Sequence, residues 1–296
     1  VIDALRAFIA TGVGDREALA LALHRWQVER NPAYAAISGG AVPTRITEIP
    51  AVPVDLFREL PLRSFAGPPA AVFRTSGTTS GGHARGAHAL ADTSLYDLAA
   101  PLGFRRRLPD APRRVVSLVP HDPDSSLGHM VAGLADELLP FFVDGALRPG
   151  VWTALRPPTF LAATAFALDA LLAGEGRAEL GPADLVMVTG GFKGREVRLD
   201  GPGLYRALGR LGRPRVVGEY GMTELSSQLW TRPVPAGEVP GPFLAPPWLV
   251  PYAVDPVTGT PTDGVGLLRF VDLANAWSVV AVETKDLGVV RGDELT

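Results

Sequence analysis

Four short apolar runs in this chain each lead straight into a turn crowded with glycine, hydroxyl or charged residues. Ala71-Val72-Phe73-Arg74 leads into Thr75-Ser76-Gly77-Thr78-Thr79-Ser80-Gly81-Gly82. Arg114-Val115-Val116-Ser117-Leu118-Val119-Pro120 leads into His121. Asp184-Leu185-Val186-Met187-Val188-Thr189 leads into Gly190-Gly191-Phe192-Lys193-Gly194, and Arg215-Val216-Val217-Gly218 into Glu219-Tyr220-Gly221-Met222-Thr223-Glu224. Unbroken apolar runs of this length predict strands buried on both faces. Helical patterns separate them. Asp15 caps a helix over 16–26, which Asn31-Pro32 ends. Ser125 or Ser126 caps a second, with Leu127, Val131, Leu134 and Leu138 on its apolar face. Further helices are predicted over 160–173, closed by Gly174, and over 202–211. Strands alternating with helices predict an α/β fold with layered, covered sheets. After Trp230 the chain turns rich in Pro and Gly, with strands predicted at 266–271 and 278–283. The expected organisation is therefore an α/β core over 1–230 and a small β-rich subdomain over 231–296.

Composition narrows the function classes. At 47% hydrophobic and 20% charged residues, the chain reads as a soluble protein with a sizeable core. A net charge of −3 gives no electrostatic case for nucleic acid or an anionic membrane. The run Arg105-Arg106-Arg107, near Pro109 and Pro112, reads as a solvated loop. No cysteine is present, which excludes disulfides and thiolate chemistry within these residues and suits a cytoplasmic location. No membrane span or secretory signal is recognisable. The first residue is Val, and the end at Arg291-Gly292-Asp293-Glu294-Leu295-Thr296 lacks a closing element, so the chain reads as trimmed at both ends. His24 is expected on a helix surface. His88 and His129 lack a partner at metal-ligand spacing, so no zinc site is expected.

The turns carry the chemistry. In 75–82, glycines let backbone N–H groups converge on one anion and hydroxyls add donors, which suits phosphate; alone, the loop also reads as a flexible linker. It is not a Walker A loop, lacking the spaced glycines followed by Lys. In 218–224, a Thr hydroxyl can contact phosphate, a carboxylate can hold Mg²⁺ and Tyr220 can stack on a base. Equally, Tyr220 can pack in the core and Glu224 can be solvated. Ligands of open α/β sheets bind beyond the carboxyl ends of strands, where these turns fall. Thr284-Lys285-Asp286-Leu287-Gly288 follows the last predicted strand and alone reads as a turn.

Taken in order, these motifs resemble the acyl-adenylate-forming superfamily, over about residues 70–290. The loop Thr75–Gly81 resembles its phosphate loop, Tyr220-Gly221-Met222-Thr223-Glu224 its Tyr-Gly-x-Thr-Glu motif, and Thr284-Lys285-Asp286 its Thr-Gly-Asp motif. Thr189-Gly190-Gly191-Phe192-Lys193-Gly194 and Ser125-Ser126-Leu127 are most similar to the acyl-protein synthetase (LuxE-type) branch, with phenylacetate-CoA ligase a near relative. The resemblance implies a large adenylate-forming N-terminal domain whose C-terminal lid is absent or truncated. It implies ATP and Mg²⁺ as cofactors, a carboxylic acid, expected to be a fatty acid, as substrate, and an acceptor protein or CoA as partner. Thr75, Ser76, Gly77, Thr78 and Thr79 would wrap the β- and γ-phosphates. Gly190, Gly191, Glu219 and Tyr220 would line the adenine site, Thr223 would touch the α-phosphate, Glu224 would hold Mg²⁺ and Asp286 would bind the ribose. His121 would line the acyl site.

Two departures stand out. Superfamily loops often end in Pro-Lys-Gly, where this chain has Gly82-His83-Ala84-Arg85-Gly86; Arg85 is the better electrostatic substitute, because a His is mostly neutral near pH 7. The C-terminal Lys that assists adenylation and the Cys that receives the acyl group in the LuxE-type branch are also missing.

Overall fold

The computed structural model describes residues 1–75, 85–190, 199 and 201–296. The chain falls into two compact units. One comprises Val1–Leu102, Met222–Gln228 and Leu244–Thr296, and the other Gly103–Gly221 and Leu229–Phe243. Of the stretch 231–296, residues 231–243 belong to the second unit and 244–296 to the first.

The second unit is built on a sheet whose strands run in the order Leu229–Thr231, Arg215–Tyr220, Leu185–Thr189, Phe160–Thr164, Arg114–Leu118 and Glu137–Pro140. From Arg215–Tyr220 to Glu137–Pro140 every neighbour is parallel, and Leu229–Thr231 is antiparallel. Helices Ala165–Ala173 and Gly201–Ala207 bury Leu168, Leu171 and Leu204 against Val116, Leu161 and Val186 of the strands. That covering is why the strands read as continuous apolar runs.

Three expectations about this region are corrected. Residues 160–164 form a central strand rather than the start of a helix; the Thr164 side chain then caps the helix by accepting from the Ala167 N–H. Leu138 does not continue the helix Ser126–Leu134. It lies in strand Glu137–Pro140, opposite Val115, and Ser125 rather than Ser126 is the cap. The run Arg105–Arg107 is not a loop but the last turn of helix Ser94–Arg107, where cations suit the negative end of the helix dipole.

In the first unit, Asp15 caps helix Arg16–Val28 by accepting from Ala18 N at 2.9 Å. Asn31 does more than end that helix: its side chain accepts from Tyr34 N at 3.1 Å and starts helix Pro32–Ser38. His24 is not on the surface. It is buried against the Tyr34 ring and reaches Ser38 Oγ at 3.4 Å. A four-stranded sheet runs in the order Val52–Pro53, Ala281–Gly288, Gly266–Asp272 and Leu249–Val254. The outermost pair with Val52–Pro53 is parallel and the rest antiparallel. A separate antiparallel hairpin pairs Ala71–Arg74 with Ala87–Leu90. Among the described residues, no helix is long and apolar enough to cross a membrane.

Candidate active site

In the first unit, the paired strands Ala71–Arg74 and Ala87–Leu90 flank the hydroxyl- and glycine-rich segment in sequence. Ser76, Gly77, Thr78 and Thr79 lie outside the described residues. Among the described residues, four hydrogen bonds join Arg74 and Thr75 to Arg85 and Gly86 at the neck of the loop. Thr75 N donates to Gly86 O at 3.0 Å, and Gly86 N donates to Thr75 Oγ1 at 3.0 Å. Arg85 donates from Nε to Thr75 O at 2.6 Å and from Nη2 to Arg74 O at 3.2 Å. Arg85 therefore fastens the neck, a role that sequence reasoning did not anticipate.

The carbonyl of Thr223 accepts from His88 Nδ1 at 2.7 Å. That bond fixes the tautomer, since a carbonyl can only accept. Burial drives the His88 pKa down to about 4, outweighing the opposing pull of its hydrogen bonds, so the ring is neutral at neutral pH. Glu224 follows and is buried. Asp286 does not sit in a turn but within strand Ala281–Gly288, where it is exposed and its N–H donates to Thr284 Oγ1 at 3.0 Å. The neighbouring Lys285 pairs with Asp55 at 2.6 Å.

In the second unit, the parallel strands bring His121, Gly190, Glu219 and Tyr220 to the carboxyl edge of one sheet. Thr189 and Glu219 are register partners, and the Thr189 hydroxyl donates to the Glu219 carboxyl. Burial raises the Glu219 pKa to about 7, and the Thr189 bond offsets only part of that rise. Gly190 leaves its strand at φ +66°, a left-handed conformation that glycine adopts without strain. Gly191 lies outside the described residues. Tyr220 is half-buried and tilted against the Phe243 ring at 5.8 Å. His121 Nε2 lies 2.7 Å from the buried Ser117 Oγ, and burial lowers the ring's pKa. Gly128 packs so closely against this turn that a Cβ there would sit 2.3 Å from Pro120 O.

The donor set fits a magnesium nucleotide. Among the described residues, no group of three His, Cys, Asp or Glu side chains could hold a metal by itself. Mg²⁺ commonly takes one or two carboxylates and fills its octahedron with phosphate oxygens and water, so a single buried Glu224 suits that mode. The Thr75 hydroxyl accepts from Gly86 N and keeps its own proton to donate.

No protein-family model matches the chain, and no curated protein matches it by sequence. Solved structures do match. ATP-bound MatB from Rhodopseudomonas palustris is 18% identical with a TM-score of 0.56, covering 77% of this chain and 47% of its own. A 2-hydroxyisobutyryl-CoA ligase in the postadenylation state with R3-HIB-AMP is 13% identical with a TM-score of 0.68, covering 94% of this chain and 64% of that one. E. coli MenE with a bound analogue of OSB-AMS is 17% identical with a TM-score of 0.50, covering 77% and 47%. The chain therefore has the mixed α/β fold of an adenylate-forming domain and spans about half the length of MatB, at 47%.

Proposed function

We propose that this protein binds ATP with Mg²⁺, activates a carboxylic acid as its acyl adenylate, and passes the acyl group to a protein or carrier thiol. The observation that carries the reading lies within the first unit. The strand pair that flanks the hydroxyl- and glycine-rich segment is joined, through His88, to the Thr223-Glu224 turn. On this reading, the Thr75 hydroxyl would serve the phosphates and the Glu224 carboxylate the metal.

The residue roles follow the family resemblance. Thr75 to Thr79 hold the β- and γ-phosphates, Thr223 contacts the α-phosphate, and Glu224 binds Mg²⁺, which would neutralise phosphate charge. Gly190, Gly191, Glu219 and Tyr220 line the adenine site, Asp286 takes the ribose and His121 lines the acyl site. Arg85 serves by closing the loop neck. In the reaction, a carboxylate oxygen attacks the α-phosphorus while pyrophosphate departs with the electron pair of the breaking P–O bond. Two anions approach each other, so preplaced donors matter; each well-placed one is worth about 3–4 kcal/mol in the transition state. The sequences at 189–194 and 125–127 favour, by resemblance, the acyl-protein synthetase branch and with it a fatty acid as substrate; a cytoplasmic setting is proposed alongside.

The test is carboxylate-dependent exchange of labelled pyrophosphate into ATP, run on the full-length gene product with acids of graded length. Exchange that rises with chain length supports the reading. Absence of exchange with every acid overturns it, and ATP binding by calorimetry without adenylate would mark a binding module instead. A second reading, a CoA ligase, draws on the match to 2-hydroxyisobutyryl-CoA ligase over 94% of this chain. Thioester formation with free CoA, rather than with protein, would select it.

A further inference from the structure

The segment Met222–Gln228 has neither helix nor strand, yet it is buried from Glu224 onward. Irregular backbone in such a place must find hydrogen-bond partners outside any ladder. Here they come from three side chains that are themselves fully buried: His88, Asp272 and Asn275. His88 Nδ1 donates to Thr223 O at 2.7 Å, and Asn275 Nδ2 donates to Glu224 O at 2.9 Å. The two carboxylate oxygens of Asp272 accept from Ser226 N at 2.9 Å and Ser227 Oγ at 2.7 Å. Ser226 Oγ also donates to Asn275 Oδ1 at 3.3 Å.

The clamp is itself anchored. Asp272 and Asn275 lie where the chain turns between strands Gly266–Asp272 and Ala281–Gly288. Gln27, buried on helix Arg16–Val28, donates to the carbonyls of Asn275 and Ala276 at 2.9 Å each and accepts from Val280 N at 2.7 Å. Asn275 Nδ2 also donates to Val279 O at 2.9 Å. Both the oxygen and the nitrogen of the Asn275 amide are thus hydrogen-bonded.

We propose that His88, Asp272 and Asn275 are positioning residues that hold the Thr223–Ser227 main chain in one conformation, so that the Thr223 hydroxyl and Glu224 carboxyl meet the nucleotide already placed. This rests on reading Thr223 and Glu224 as nucleotide-binding groups. The clamp grips main-chain atoms at both of those residues and side-chain or main-chain atoms at the two serines beyond them. Its effect on chemistry runs entirely through the placement of that segment.

The experiment compares the wild-type chain with Asn275→Asp, His88→Leu, His88→Asn and Ser227→Ala in pyrophosphate exchange, varying ATP, acid and Mg²⁺ separately. Asn275→Asp keeps the shape but turns an acceptor toward the Glu224 carbonyl. It should lower kcat by about 10–100-fold and raise the half-saturating Mg²⁺ concentration, the usual cost of losing support behind a metal ligand, while leaving the KM for the acid within about twofold. His88→Leu should follow it. His88→Asn, whose amide donates from nearly the position of Nδ1, should recover most of the lost kcat; loss of mere packing would not be repaired by the smaller side chain. Ser227→Ala removes one hydroxyl and little volume, and should move activity in the same direction if the larger changes unfold the chain. Wild-type exchange is measured first: its absence overturns the functional reading and the positioning role with it. Wild-type exchange with folded variants that keep their Mg²⁺ dependence overturns the positioning role alone.

Discussion

Replacing Glu219 with Gln isolates one buried charge whose energetic cost follows from its surroundings. The carboxyl is buried, and the Thr189 hydroxyl beside it only partly compensates for lost water. Burial lifts its pKa from an ordinary 4.5 to about 7. At about 1.4 kcal/mol per pH unit, ionising it in place costs about 3 kcal/mol. The sign follows from linkage. Because the folded state holds the proton more tightly than the unfolded chain, this group's stabilising share is complete below pH 4.5 and is lost as pH rises through about 7. Gln cannot titrate, and its amide oxygen can still accept from Thr189. Relative to the wild type, Glu219→Gln should therefore gain about 2–3 kcal/mol between pH 5 and pH 8. Urea unfolding of both proteins at the two pH values measures the gap. The Glu219 carboxyl carbon, identified by its disappearance in the variant, should titrate near 7 by NMR. An equal gap at both pH values, or a midpoint near 4.5, would refute the reasoning.

Thr189→Val should push the Glu219 midpoint higher still, because the hydroxyl bond is what holds it down; the same NMR titration reads it. Gly128→Ala should destabilise the chain by about 2 kcal/mol or more, since its Cβ would meet backbone, Pro120 O at 2.3 Å and His121 Cα at 3.0 Å, neither of which can swing aside. Thermal unfolding checks it, and an unchanged midpoint would mean that the turn relaxes freely. Glu224→Ala should lower pyrophosphate exchange by about 100-fold or more, with a flattened response to Mg²⁺; exchange within threefold of wild type would remove Glu224 from the metal-binding role.

Strands were legible in the sequence where burial on both faces left an unbroken apolar run, as in Leu185–Thr189 and Arg114–Leu118. The same signal misled at 160–173, because an apolar run has no period to separate strand from helix. The usable mark was Thr164, a capping residue in mid-run. Helix Ser94–Arg107 carries Pro101 within it, a residue that weighs against a helix when read locally. His24 could have been assigned to the interior: it shares the spacing of Ala20, Leu23 and Gln27, all buried, on one helical stripe.

The candidate site divides along the same physical line. Glu219 and Tyr220 lie in a sheet ladder that supplies their backbone partners locally, so a strand followed by a turn was enough to find them. Thr223 and Glu224 lie beyond the ladder, where the main chain has no regular partner. The motif shows what those side chains offer but not what holds them. Their supports stand far off in sequence, His88 by 135 residues and Asn275 by 51 from the residues they bind, and no local pattern marks either. The two halves of one motif should therefore fail differently. Damage to the backbone pairing of the first acts through the sheet and shows in stability. Damage behind the second acts through a handful of side-chain bonds, so it can remove activity while the fold persists. A chain that must leave a sheet to present a carboxylate has to borrow its rigidity from elsewhere, and a fully buried Asn, Asp or His that bonds a segment far off in sequence is where to look for the lender.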